Sequence, residues 1–147
     1  MFALTMTVGI AVTVVLLELT GMVAGGIIVP AYVSLILSSP ISLGALLAMA
    51  LAVMLALRLL AQVMPLYGTR RYGLSVLLGG VLNAGAQTMF TASALHFVLP
   101  IEWTAFGYLV PGLIAWHFDR QGIARTVLMI AIAAPLVRAL VLLLSLL

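Results

Sequence analysis

Chemistry in this chain has to come from few side chains. The charged residues are six arginines and three acids. Ser93 and His96 stand three apart and would share a helix face, but no acid accompanies them nearby, so a serine nucleophile with an oriented base finds no support. His96 and His117 with Glu102 or Asp119 show no metal-ligand spacing. There is no lysine, so no phosphate-cradling Gly-rich loop with its lysine exists, and any ATP chemistry belongs to a partner. No cysteine is present for a disulfide or a thiolate site. Neither a catalytic residue, a metal nor a cofactor is expected.

What remains is carboxylates and guanidiniums in an apolar setting. Glu18 and Glu102 each open a Glu-x-Thr (Glu18-Leu19-Thr20, Glu102-Trp103-Thr104). Downstream of each comes Gly-x-x-Val-Pro: Gly26 to Pro30, and Gly107 to Pro111 followed by Gly112. Pro111 lies 81 residues after Pro30, and Arg138 lies 80 after Arg58. An intramembrane carboxylate is costly unless paired, so Arg58 and Arg138 are candidate partners of Glu18 and Glu102, as structural ion pairs joining two halves. The other reading has these arginines facing a wet interior and guiding a polyanion. Gly26, Pro30, Gly107, Pro111 and Gly112 are expected to break helices, freeing backbone groups. Arg70, Arg71, Asp119, Arg120 and Gln121 are candidates for holding a partner or an anionic product, since guanidinium pairs well with carboxylate; the alternative is that the arginines only fix topology. Trp103, Tyr108 and Trp116 suit interfacial anchors.

The surroundings of these residues are membrane-like. Hydrophobic residues make up 66% of the chain and charged ones 6%, with mean hydropathy +1.40, against about 25% charged in soluble domains. The high pI reflects a handful of arginines, and nothing resembles a nucleic-acid motif. Phe2–Leu17 reads as a retained span ended by Glu18, with no basic n-region or cleavage site of a removed signal peptide. Ile27–Leu37 is a short segment broken at Pro30, Ser38-Ser39-Pro40 a loop and helix start, Ile41–Met64 a long span, and Pro65–Tyr72 the polar midpoint. Gly73–Leu99 opens the second half, with Gly80, Ala84 and Thr88 as a small-residue packing stripe. Pro100 ends it, 117–125 is a charged loop, and Ile123–Leu147 is a last span that Pro135 kinks.

The expectation is an all-α polytopic membrane protein of two pseudo-repeats, 1–66 and 73–147, joined by a polar loop at 67–72. Each repeat has three apolar elements, one a short Gly/Pro-broken segment. If all three cross, the repeats are inverted; if the short ones re-enter, they are parallel. Six crossings put both arginine loops on one side, the cytoplasm, with both termini outside.

Several motifs then resemble a known family. Glu18-Leu-Thr-Gly21 with Gly26-Ile-Ile-Val-Pro30-Ala-Tyr32, Leu66-Tyr67-Gly68-Thr-Arg70-Arg71, Val110-Pro-Gly-Leu-Ile-Ala115 and Arg120-Gln121-Gly122 occur in the order and spacing of the PgsC/CapC family. That family is the small membrane subunit of poly-γ-glutamate synthase. Ala31 stands where the family usually has glycine, and Leu19 where it often has arginine. The resemblance implies a bacterial plasma-membrane subunit in capsule biosynthesis, not an enzyme by itself. It also implies a cytosolic, ATP-dependent amide ligase of the Mur-ligase type, a membrane-anchored accessory subunit and an anionic polyglutamate chain as partners. The subunit would anchor the ligase and help pass the polymer across, as an oligomer or with help from partners. A pure scaffold and an unrelated small inverted-repeat transporter are the rival readings.

Overall fold

The computed structural model describes residues 2–65, 67–91 and 109–146. They form six helices: α1 (Phe2–Thr20), α2 (Val29–Ile36), α3 (Pro40–Val63), α4 (Thr69–Thr91), α5 (Val110–Gln121) and α6 (Ile123–Ser145). Among the described residues, α1, α3 and α6 are long and apolar enough to cross a membrane. With the composition, this makes the chain an integral membrane protein.

Prolines set several helix starts. Pro40 opens α3, and Pro30 and Pro111 each occupy the second position of a short helix. A first-turn N–H has no intrahelical acceptor, so proline loses nothing there and its fixed φ favours the start. The short segments were expected to break at these prolines; instead the helices begin there, and in the first the irregular backbone lies upstream, at 21–28. The central arginines also shift. Gly68, at φ +58°, ends the irregular stretch and α4 begins at Thr69, so Arg70 and Arg71 lie in its first turn. Helix α6 runs through Pro135.

The chain packs as two compact units, Met1–Pro40 with His117–Leu147, and Ile41–Trp116. In the first, α1, α2 and α6 pack on one another. The Gln121 side chain, two residues before α6 begins, donates to the Val23 carbonyl, three residues past the end of α1. The C-terminal end of α1 therefore meets the N-terminal end of α6, and the two run antiparallel. Ala31 lies against Gly9, eleven residues back from Thr20 and so about 16 Å along α1. Ser34 reaches Arg138 on α6. The 21–36 stretch thus travels down α1 and α6 from one end, irregular first and helical afterwards. It does not double back.

Gly9 and Ala31 approach closely. A Cβ on Gly9 would meet the Ala31 methyl far inside van der Waals contact, and would lie 2.9 Å from the Ala31 Cα and 3.2 Å from its N. The methyl that Ala31 adds to the motif is accommodated because α1 has none opposite. Thr5 and Thr13, both buried, flank Gly9 by one turn each way, and Thr13 Oγ1 donates to the Gly9 carbonyl at 2.7 Å.

In the second unit, α4 meets the start of α5. A Cβ on Gly79 would lie 2.6 Å from Gly112 N and 2.7 Å from its Cα. Ser75 Oγ donates to the Gly112 carbonyl, and the Tyr72 and Trp116 rings meet edge to face with centroids 5.6 Å apart. Residues 72, 75 and 79 of α4 thus oppose 116 and 112 of α5, so these helices also run antiparallel.

Candidate functional site

The best-defined polar constellation lies at one end of the first unit. The end of α1, the 21–28 stretch, the end of α5 and the start of α6 bring Glu18, Asp119, Arg120, Gln121, Arg125 and Thr126 to this end. Local chemistry shapes each piece. Gly21 N donates to the Leu17 carbonyl at 2.8 Å, closing α1, and Thr20 Oγ1 accepts from Met22 N at 3.2 Å. Gly25 and Gly26 have φ of +74° and +136°. Side-chain-bearing residues avoid those values, so glycine lets the backbone leave α1 and turn back along it. Ala24, Gly25 and Gly26 are buried. Irregular backbone at membrane depth persists only inside protein or beside water, because lipid satisfies neither its donors nor its acceptors.

Gln121 holds this stretch in place. Its Nε2 donates both to the Val23 carbonyl and, at 3.1 Å, to Thr126 Oγ1. Thr126 is wholly buried and donates to the Gly122 carbonyl at 2.9 Å. Gly122, at φ +92° and ψ 151°, makes the one-residue break between α5 and α6 that aims Gln121 back at Val23. The structure thus gives Gln121 an inward bond, while Arg120 beside it is exposed and Asp119 half-buried. Glu18 is exposed on the last turn of α1.

Arg138 lies elsewhere. It is fifteen residues past Ile123, about 22 Å along α6, and its Nη1 donates to the Ser34 carbonyl at 3.3 Å. Ser34 belongs to the last turn of α2, where carbonyls lack intrahelical partners and the helix dipole is negative. A cation there stabilises the short helix. In the second unit, Arg58 is exposed one turn before the end of α3, and Arg70 is exposed and Arg71 half-buried at the start of α4. Pro111 and Gly112 are both buried. Glu102 and Gly107 lie outside the described residues, as do Trp103, Tyr108, Ser93, His96 and Leu66 of the central motif. Among the described residues no group of His, Cys, Asp and Glu gathers as metal ligands would.

Three contributors went unnoticed in the sequence: Thr126, Ser34 and Ser75. Each is a buried hydroxyl residue in a helix of an apolar chain, and that property alone is a usable signal. Such groups must bond to something, often a carbonyl one turn back or on a neighbouring helix.

Helical packing, three membrane-length spans and an internal unwound stretch define a small multi-helix membrane protein with its polar groups collected at helix ends. The comparisons sharpen that class. The family described as capsule biosynthesis CapC is matched over residues 8–127, and the chain belongs to it. The match takes in every motif above except the two C-terminal features Pro135 and Arg138. The PGA biosynthesis protein CapC of Bacillus subtilis (strain 168) is 28% identical over 124 residues, covering 84% of this chain and 81% of that protein. The capsule biosynthesis protein CapC of Bacillus anthracis is 24% identical over 125 residues, covering 84% and 82%. No solved structure matches.

Proposed function

We propose that this chain is the membrane subunit of a poly-γ-glutamate synthesis and export complex in a bacterial plasma membrane. It anchors a cytosolic, ATP-dependent amide ligase of the Mur-ligase type, works beside a membrane-anchored accessory subunit, and passes the anionic polymer outward. The observation that carries this reading is the family match across residues 8–127, together with two relatives named for PGA and capsule biosynthesis that are similar over 84% of the chain.

The geometry supports an orientation. Arg120 and Arg125 lie at the α1/α6 end that Gln121 closes. The opposite end, formed by the start of α1, the 36–40 turn and the end of α6, carries no charged side chain among the described residues. Arginine collects on the cytoplasmic side, so the Gln121 end faces the cytoplasm and both termini face out. The 21–36 stretch then crosses from inside outward, which favours six crossings and inverted halves, 1–66 and 73–147. A pair of contacts supports the repeat. Ala31 after Pro30 lies on Gly9, and Gly112 after Pro111, 81 residues later, lies on Gly79. In both, a short proline-started helix presses its backbone onto a glycine of the preceding long helix.

In this reading Arg70, Arg71 and Arg120 hold the ligase or receive its product at the cytoplasmic face. The buried irregular stretch at Gly25-Gly26 belongs to the conduit, as unwound segments do in transporters. Helices of 8 and 12 residues enclose little by themselves, so the path is completed by further copies or partners. The test is co-purification of the tagged chain with the products of neighbouring genes, followed by an assay for ATP- and glutamate-dependent polymer. A ligase that comes down and makes γ-linked polymer only with this chain present upholds the proposal. A chain that purifies alone with no polymer favours a small inverted-repeat transporter. Polymer made and exported normally by a chain lacking the intramembrane arginines leaves only a scaffold.

A further inference from the structure

We propose that Arg138 is a carboxylate receptor in the outer half of the first unit, where its guanidinium takes one pendant α-carboxylate of the γ-linked polymer in transit. The inference deepens the export reading above and rests on it.

Position, partner and exposure carry it together. Arg138 stands fifteen residues from the start of α6 and seven from its end, about 22 Å and 10 Å along the axis, inside a membrane-length span. A guanidinium there is costly unless it is paired or faces water. Among the described residues its hydrogen-bond partner is the Ser34 carbonyl, which is neutral. That bond leaves the positive charge uncompensated and uses a single N–H of the five that arginine offers. The residue is nonetheless exposed on the helix surface.

The Ser34 bond also fixes direction. An arginine that merely snorkels extends along its own helix towards the headgroups. This one reaches sideways to α2, whose last turn belongs to the same crossing stretch that begins at Val23 beside Gln121. One edge of the planar fork is thereby anchored, and the remaining donors match a carboxylate in two-point geometry. A single receptor of this kind holds an anion weakly enough to release it, which a conducting site requires. A lipid phosphate shares the anionic-oxygen chemistry and is the other possible source of the anion. Glu102, outside the described residues, is the other possible counter-charge.

The test uses the purified full chain in nanodiscs of phosphatidylcholine, titrated with fluorescently labelled penta-γ-glutamate. Arg138→Gln is expected to weaken binding by about tenfold or more, the worth of one charge-assisted hydrogen bond. Arg138→Lys keeps the charge but loses the fork, and is expected to weaken it several-fold. Size-exclusion profiles and helical content establish that each variant is folded; if Arg138→Gln is not, Arg138→Lys carries the test. Wild-type affinity in a folded Arg138→Gln, or in Arg138→Lys if that variant alone folds, overturns the proposal. So does tighter binding in Glu102→Gln, which would mean that Glu102 already occupies the guanidinium. Repeating the titration with phosphatidylglycerol in the discs separates the lipid source. Added competition in the wild type that vanishes in Arg138→Gln assigns the site to lipid phosphate and overturns the polymer assignment. None of these readings depends on ligase capture, so the site and the complex fail or stand separately.

Discussion

Replacing Gly9 by alanine is a small change with a sign that can be worked out. In isolation, alanine stabilises a helix interior by up to about 1 kcal/mol over glycine. Against that, the new Cβ would lie 2.9 Å from the Ala31 Cα and closer still to its methyl. Ordinary carbon–carbon contact is about 3.5–4.0 Å, so α1 and α2 must part by about 1 Å. The atoms met include backbone, and α2 is also tied to α6 by the Arg138–Ser34 bond, so it cannot simply yield. Overpacking of this kind costs about 1–3 kcal/mol, and a net loss of about 1–2 kcal/mol is expected for Gly9→Ala. Adding Ala31→Gly removes the nearest atom but leaves the Cα and N contacts, so the double variant should recover about half the loss. Reversible unfolding in micelles, followed by circular dichroism across an SDS titration, measures all three. A Gly9→Ala as stable as the parent, or strictly additive effects, would refute the packing argument. Gly79→Ala supplies a contrast. Its Cβ would meet Gly112 N at 2.6 Å, and glycine has no side chain to trim, so that loss should be at least as large and beyond such rescue.

Three further outcomes follow. Gln121→Leu removes the bond to Val23 that holds the 21–28 stretch and the bond to Thr126 that steadies the amide, about 1–3 kcal/mol in total, so amide exchange across that stretch should quicken at least tenfold by mass spectrometry, with α3 unchanged. Gly122→Ala forces a side-chain-bearing residue to φ +92°, costing about 1–3 kcal/mol, and should lower the thermal midpoint more than Gly44→Ala, where a Cβ meets nothing within 4 Å. The chain has no cysteine, so single cysteines report sidedness: Ser38→Cys should react with an impermeant maleimide in intact cells, and Arg120→Cys only after permeabilisation. Labelling of both from one side would mean that the 21–36 stretch re-enters instead of crossing.

Features written locally were legible in the sequence. The long spans were found from uninterrupted apolar runs, and the start of α3 from Ser38-Ser39-Pro40. Helix ends were less so: α1 runs to Thr20, past Glu18, because one exposed carboxylate in a last turn does not stop a helix that Gly21 closes. Arg70 and Arg71 looked like loop because they are charged, yet nothing between Thr69 and Tyr72 opposes helix once Gly68 has turned the chain. The prolines signalled a break, and the missing information was on which side it fell. From sequence Gln121 reads as a partner- or polymer-binding candidate on the cytoplasmic face, and its bond to Val23 is invisible there because 98 residues separate them. The Gly9–Ala31 contact was hidden for the same reason. No local pattern pairs a glycine on one helix with an alanine on another.

That α2 leans on both chain ends bears on how the protein is made. At eight residues it is far too short for the insertion machinery to recognise as a span, and its irregular lead-in offers bare peptide groups to lipid. Its neighbour α1 emerges from the ribosome before it, but α6, which contributes the Arg138 cap and the Thr126 hydroxyl that holds Gln121, emerges only after the whole 41–116 unit. The 21–36 stretch must therefore wait, at the membrane surface or in the care of a chaperone, until α6 has been made. A ribosome that stalls before α6 would leave behind a chain whose earliest segments have nowhere to go, and membrane quality control could read that single unburied stretch as the mark of an unfinished molecule.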